Sequence, residues 1–215
     1  MSRAVIFVHG QIPDLETVRQ LTRPGDTILA ANGGTRHVLA LELTPSIVIG
    51  DLDSLTGDDV RKLEIAGTEI RRHSRDKNET DFELALNYSI EAGYREILVV
   101  AALGYRLDQT LGNLSLLTDP RLSTLDVRLD DGVEEVFFMR NQGQVRGVAG
   151  DTVSLIPWGG DVTGVSTDGL RWPLGGETLY PDKTRGISNE LLGESASVNM
   201  ESGLLLIVHS RHRQS

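Results

Sequence analysis

Ile47-Val48-Ile49-Gly50-Asp51-Leu52-Asp53-Ser54 is where the chain declares its architecture. A short β-branched apolar run reads as a buried strand. It stops at a glycine and is followed at once by two carboxylates. In open α/β sheets ligands bind past the carboxyl ends of the strands, so the position of this pair matters as much as its charge. Read as extended chain, Asp51 and Asp53 face the same way, about 6–7 Å apart. Two like charges so placed stay ionised only with something positive between or beside them. A hard cation, Mg²⁺ or Mn²⁺, suits such oxygen ligands and keeps coordination sites for substrate phosphates. A plain alternative accounts for the same residues: an Asp-rich solvated turn ahead of a helix near Val60, begun by Asp58 and Asp59.

On either side of this stretch, from Ala4 to about Arg140, β-branched runs alternate with helical patterns. That alternation predicts a parallel sheet built of βα units. Strands are expected at Val5–Val8, Thr27–Ala31, Ile47–Ile49, Thr68–Arg72, Ile97–Ala101 and Leu125–Leu129. Helices are expected at Leu15–Leu21, Val38–Leu43, Val60–Ala66 and Phe82–Ala92, the last from apolar residues at helical spacing. After Asn141 turn glycines arrive every few residues, and runs such as Thr152–Ile156, Ser195–Met200 and Leu204–His209 read as short strands. The expected fold is therefore α/β: an N-terminal Rossmann-like parallel-sheet domain over residues 1–142, then a C-terminal all-β sandwich over 143–215. The polar tail Ser210–Ser215 is expected to fray.

Three further segments fall at the same end of the predicted sheet. Asn32-Gly33-Gly34 follows the second strand as a tight turn that lets backbone approach a ligand. Thr80 with Glu83 fits a capping box, which places Asp81 in the first turn of a helix where the dipole favours a carboxylate. Lys77 stands just ahead of that helix, where phosphates tend to bind, and it is one of only three lysines. Ala101 to Asn113 carries a strand into a glycine loop with Arg106, a charge-assisted donor suited to phosphate. Asp108 there reads either as a helix cap or as a further metal carboxylate. The loop lacks the Gly-x-x-x-x-Gly-Lys-Ser/Thr spacing of a Walker site.

Composition narrows the field. The 31 acidic against 21 basic residues leave a net charge of −10, which argues against a chain that coats nucleic acid or an anionic membrane. Small anionic substrates remain open, because a bound metal reverses the local sign. With no cysteine, thiolate metal sites, disulfides and a cysteine nucleophile are excluded. The start, Met1 to Gly10, is too short and interrupted for a secretory signal, and no apolar run approaches a membrane span. A cytoplasmic home is expected.

Taken together, these segments resemble the thiamine pyrophosphokinase (thiamine diphosphokinase) family. The resemblance rests on Gly50-Asp51-Leu52-Asp53-Ser54, on Lys77 with Thr80-Asp81-Phe82, and on Leu103-Gly104 with Arg106-Leu107-Asp108-Gln109-Thr110-Leu111 and Asn113. In the second half it rests on Thr167–Leu174 and Arg185–Glu190. It implies an ATP-binding α/β domain followed by a β-sandwich, working as a homodimer with thiamine near the subunit interface. It implies transfer of pyrophosphate from ATP, as co-substrate, to the thiamine hydroxyl, giving thiamine diphosphate and AMP. By this likeness Asp51, Asp53, Asp81 and Asp108 hold Mg²⁺, with Asp53, Asp81 and Asp108 taking part in catalysis. Asn32, Gly33, Gly34, Lys77, Thr80, Arg106, Gln109 and Asn113 fall to the nucleotide and its phosphates. Trp172, Ser188 and Asn189 fall to thiamine. The chain departs from the family pattern at Asn32, where an aspartate is usual, at His9-Gly10-Gln11 in place of a glycine-rich loop, and at Tyr105 in place of a glycine. Two rival readings stand beside it: a non-catalytic thiamine or nucleotide sensor, and a metal-dependent nucleotide-sugar transferase.

Overall fold

The computed structural model describes residues 3–212, and the chain divides into two compact units, residues 1–132 and 133–215. Among the described residues of the first unit six strands alternate with five α-helices, with a short 3-10 turn at Pro120–Leu122: β1 (Ala4–Phe7), α1 (Leu15–Leu21), β2 (Thr27–Ala31), α2 (Gly34–Ala40), β3 (Ile47–Gly50), α3 (Gly57–Ile65), β4 (Glu69–Arg72), α4 (Asp81–Glu91), β5 (Glu96–Val100), α5 (Leu107–Leu116) and β6 (Asp126–Asp130). The strands lie in the order β6-β5-β1-β2-β3-β4, every neighbouring pair parallel. The chain runs outward from β1 to β4 and then returns to β1's other side with β5. The order therefore reverses between β1 and β5, and a crevice opens past the carboxyl ends of strands at such a reversal.

The apolar runs explain the sheet. Val5 and Phe7 on β1 join Ala30, Val48, Leu98 and Val100 in one core cluster, while Ile6, Leu29, Ile49 and Val99 are buried as well. Both faces of the central strands are thus covered, as a parallel sheet requires. β4, Glu-Ile-Arg-Arg, is the charged edge, and its charge discourages pairing with another chain. Helix starts are set by local chemistry. Asp14 caps α1, Thr56 and Asp59 form a reciprocal capping box on α3, and Thr80 caps α4 through Glu83 N.

The second unit is all β: β7 (Glu134–Met139), β8 (Gln142–Arg146), β9 (Thr152–Pro157), β10 (Val162–Asp168), β11 (Gly175–Leu179), β12 (Asn189–Glu190), β13 (Ser195–Asn199) and β14 (Leu205–Ser210). Antiparallel strands run β12-β9-β14-β7 in one layer and β11-β10-β13-β8 in the other. Alternate residues of both layers, including Val153, Leu155, Ile207, Val165, Ala196 and Val198, meet in a single core, which makes the unit a sandwich.

Several expectations need adjusting. α2 starts at Gly34 rather than near Val38, because Gly34 packs against β1, where a Cβ would lie 2.0 Å from the Phe7 carbonyl oxygen. By backbone contacts the units meet at 132/133, since β7, with Val136, Phe137 and Met139 buried, pairs antiparallel with β14. The tail is tied down as far as it is described. Ser210 belongs to β14, Arg211 N donates to Val133 O at 2.9 Å, and His212 N donates to Asp151 Oδ1 at 2.8 Å. Residues 213–215 lie outside the described residues.

Candidate active site

At the carboxyl end of β3 the backbone does not continue as extended chain. Leu52 takes a left-handed conformation (φ 63°) with its side chain buried, and Asp53 N turns back to donate to Asp51 Oδ1 at 3.1 Å. The two carboxylates are therefore presented by a tight Asx-type turn rather than by strand alternation. The group between them is Asn32, from the end of β2. Its Nδ2 donates to Asp51 Oδ1 at 2.8 Å and to Asp53 Oδ1 at 3.1 Å, while Ser54 Oγ donates to Asn32 Oδ1 at 2.7 Å. Ionised carboxylates only accept, so the amide can point no other way. The Asp53 N–H, against the opposing effect of burial and with help from the Lys77 charge, holds the Asp51 carboxyl below the usual carboxylate range.

Asp81 reaches the same place from the first turn of α4. Gly50 makes room for it: φ is 148° there, and a Cβ would lie 2.8 Å from Asn32 Cβ and 3.0 Å from the Asp81 carboxyl. Lys77 Nζ sits 2.9 Å from Asp81 Oδ1, but outside hydrogen-bonding geometry. That carboxylate oxygen is thus buried with a charge beside it and no hydrogen bond. Arg75 adds a second cation, 4.0 Å from Asp53.

These groups border a cleft of about 470 Å³ past the ends of β1, β2 and β5, at the strand-order reversal. Asn32, Gly33, Asp53, Lys77, Thr80 and Asp81 line it, and so do Arg106, Gln109 and Asn113. Asn113 is fixed from behind, donating Nδ2 to the Ala102 carbonyl at 2.8 Å. Arg106 is the N-cap residue of α5 and makes no capping bond. It instead forms a two-pronged pair with Asp108, at 3.1 and 2.5 Å, which raises the arginine and lowers the aspartate from their ordinary pKa values.

Of the four aspartates expected to share a metal, Asp51, Asp53 and Asp81 gather around Asn32 and Gly50, whereas Asp108 is engaged by Arg106 and is not among the cleft-lining residues. Asp108 is not a helix cap either, since it sits inside the first turn. Asp51 lies behind Asn32 rather than on the lining, and Gly34 is buried in the first turn of α2 against β1. His9, Arg75 and Glu79 line the cleft without having been singled out as site residues. A run of charge just ahead of a helix start, Arg75 to Glu79, was the available signal.

In the second unit, Asn189 is buried and locks the backbone of Trp172. Its Oδ1 accepts from Trp172 N at 3.0 Å and Glu190 N at 2.9 Å, and its Nδ2 donates to Trp172 O at 2.7 Å. The Trp172 side chain is half exposed, with the Arg171 guanidinium 5.3 Å from its ring centre. Ser188 takes a left-handed turn (φ 58°), and its N–H donates to Ser154 Oγ at 3.0 Å.

Residues 18–129 match the family model described as thiamin pyrophosphokinase, catalytic domain, and residues 139–205 match that of the thiamin pyrophosphokinase vitamin B1 binding domain. The chain belongs to the thiamin pyrophosphokinase family. A thiamine pyrophosphokinase of Bacillus subtilis is 26% identical over 184 residues, covering 85% of this chain and 86% of the relative. The solved thiamin pyrophosphokinase of Geobacillus thermodenitrificans superposes with a TM-score of 0.85 at 26% identity, over 100% and 99% of the two chains. The Bacillus subtilis crystal structure gives 0.87 at 22% identity, over 99% and 100%, and so shares the fold. Membership of a diphosphotransferase family leaves the sugar-nucleotide transferase and the sensor readings without support.

The donor set suits the metal that this family likeness implies. The carboxylates of Asp51, Asp53 and Asp81 are oxygen donors, the chemistry of a hard cation, and one Asp81 oxygen lacks a hydrogen bond. Among the described residues no three acidic or imidazole side chains form a complete cage. Mg²⁺ is ordinarily held by one or two carboxylates together with substrate phosphates, so an open protein site is what it needs.

Proposed function

We propose that this chain transfers a diphosphoryl group from ATP to the hydroxyl of thiamine, giving thiamine diphosphate and AMP. One observation carries the reading: Asp53 and Asp81 share a single cleft with Lys77, Arg75 and Arg106. That is the mixture of charges a triphosphate requires. Asp53 and Asp81, with Asp51 behind them, are the residues to hold Mg²⁺. The ion, when bound, neutralises charge on the phosphate oxygens.

The rest is positioning, the main task in phosphoryl transfer. Lys77 and Arg106 donate to phosphate oxygens, and Arg106 exchanges its Asp108 partner for the nucleotide. Asn113, held by the Ala102 carbonyl, keeps the floor of the cleft in place. A carboxylate of the acidic group takes the proton of the attacking hydroxyl. Trp172 offers an aromatic face to the cationic thiazolium, Asn189 fixes the height of that face, and Ser188 turns the neighbouring chain. The half-exposed apolar side chains Ile187 and Leu192 of the second unit support association into a homodimer with thiamine bound near the interface. No helix among the described residues is long and apolar enough to cross a membrane, and a cytoplasmic location fits this reading.

The test is to incubate the protein with ATP and Mg²⁺, with and without thiamine, and to identify the nucleotide released. AMP appearing only with thiamine supports the reading. ADP, or no thiamine-dependent product, overturns it.

A further inference from the structure

The relation of Asn32 to its two aspartates calls for a role of its own. Asp51 Oδ1 and Asp53 Oδ1 both lie within 3.1 Å of a single amide nitrogen. Like charges that close ordinarily need a cation or a proton between them. Here a neutral N–H₂ donor occupies that place, and it is oriented by Ser54 Oγ at 2.7 Å from its carbonyl oxygen. The backbone supports the arrangement. Asn32 adopts φ 41°, a left-handed conformation that asparagine and aspartate tolerate better than other side-chain-bearing residues. Its amide N–H donates to the Ile49 carbonyl at 2.8 Å, so the residue is pinned to β3 just before the acidic turn.

We propose that Asn32 is the positioning residue of the acidic site: its amide holds Asp51 and Asp53 side by side with no metal ion between them, so that the site stays assembled before the metal–nucleotide arrives. An aspartate here would add a fourth negative charge to Asp51, Asp53 and Asp81. The site would then hold together only with a metal already in it. Asparagine keeps the geometry and lowers affinity for the bare ion, which makes metal arrival dependent on the nucleotide that brings it. The metal part of this inference rests on the functional reading above, whereas the assembly part does not.

The test uses the full-length protein and variants Asn32→Asp, Asn32→Gly and Ser54→Ala, with Mn²⁺ as the probe and no nucleotide. In EDTA, Asn32→Asp is expected to melt about 3–6 °C below the parent, since two charge-assisted bonds become repulsions. Mn²⁺ titration, followed by electron paramagnetic resonance of the free ion, should show that variant binding at least about tenfold more tightly than the parent. Added Mn²⁺ should restore its melting temperature. Asn32→Gly keeps the left-handed backbone and removes the amide. It should bind Mn²⁺ no more tightly than the parent and raise KM for ATP by about tenfold. Ser54→Ala should do the same more weakly. An Asn32→Asp protein that melts with the parent in EDTA, or binds Mn²⁺ no better, overturns the proposal. So does an Asn32→Gly protein with the parent's KM. If Asn32→Asp does not fold without metal but folds with Mn²⁺, the proposal is supported; if it folds in neither, the glycine and alanine variants decide. Failure of the parent to release AMP would overturn the proposed function and leave the EDTA and Mn²⁺ results standing.

Discussion

Gly50 shows how much of the site hangs on one missing methyl group. Its φ of 148° and the 2.8 Å approach to Asn32 Cβ leave no room for a side chain between β3 and α4. Gly50→Ala should therefore destabilise the first unit by about 1–3 kcal/mol through backbone strain alone. It should also push Asp81 away from Asp53, so that turnover falls further than the loss of fold explains. Chemical denaturation followed by circular dichroism, with AMP release measured well below the transition, separates the two effects. Lys77 offers the complementary test. It is largely buried beside Asp81, so Lys77→Met removes a phosphate donor and leaves the carboxylate without its counter-charge. The expected result is a rise in KM for ATP of about 10–100-fold, the worth of a hydrogen bond to a charged group. Asp53→Asn keeps size and the contact with Asn32 but loses charge. It should lower kcat at least about a hundredfold while the melting temperature stays within a few degrees of the parent, as expected when only electrostatic stabilisation is lost. A variant with parental kcat would remove Asp53 from the mechanism.

Helix α4 carries Asp81 and Phe82 to the cleft, and its start is fixed by Thr80, whose hydroxyl accepts from Glu83 N at 3.1 Å. Thr80→Ala should lower stability by about 1 kcal/mol, seen as a fall in melting temperature of about 2–4 °C for a chain of this size, whereas Thr80→Ser should recover most of it. If alanine and serine behave alike, the cap is not what sets the helix. This element was legible beforehand because capping residues and apolar spacing are local signals. The strands β2 and β3 were equally legible, since β-branched runs bounded by turn residues need no distant partner to be recognised. α2 was not. It begins on two glycines with no side-chain cap, and what holds its start is the close approach to Phe7, a contact absent from the local sequence. α5 misled in the same way. Asp108 has the identity of a cap but lies in the first turn, since the helix starts one residue earlier at Leu107, and Arg106 takes its carboxylate. Within the candidate site, the Asp51–Asp53 pair was visible from spacing. The amide bridge of Asn32 was not, because it joins the ends of β2 and β3, 19 and 21 residues apart along the chain.

The whole molecule divides its optical and titrating groups unequally, and that makes one property separately measurable. Both tryptophans, Trp158 and Trp172, belong to the second unit, so the tryptophan fluorescence signal arises from that unit. The same unit buries His209, only 1% exposed, with Nε2 2.8 Å from Asp151 Oδ2 and Nδ1 3.5 Å from Glu135 Oε2. Burial disfavours the imidazolium, but bonds to Glu135 and Asp151 outweigh it and the nearby Arg211, so the histidine pKa is raised. Asp151 is also opposed by burial, yet the N–H groups of His212 and Val148, together with His209, bring its pKa below the ordinary value. The two shifts act at opposite ends of the pH scale. The raised histidine contributes stability that is complete below its unfolded value near 6.5 and is lost as pH rises through its folded value. The lowered aspartate contributes stability present above 3.8 and lost as pH falls through its folded value. The melting midpoint read by tryptophan fluorescence should therefore decline from pH 6 to pH 9. His209→Gln, which cannot gain a proton, should be less stable at pH 6 and lose less of its midpoint across that interval, so the two curves converge. Parallel curves would mean that His209 stays neutral throughout and that Asp151 is held by the His212 and Val148 amides without it.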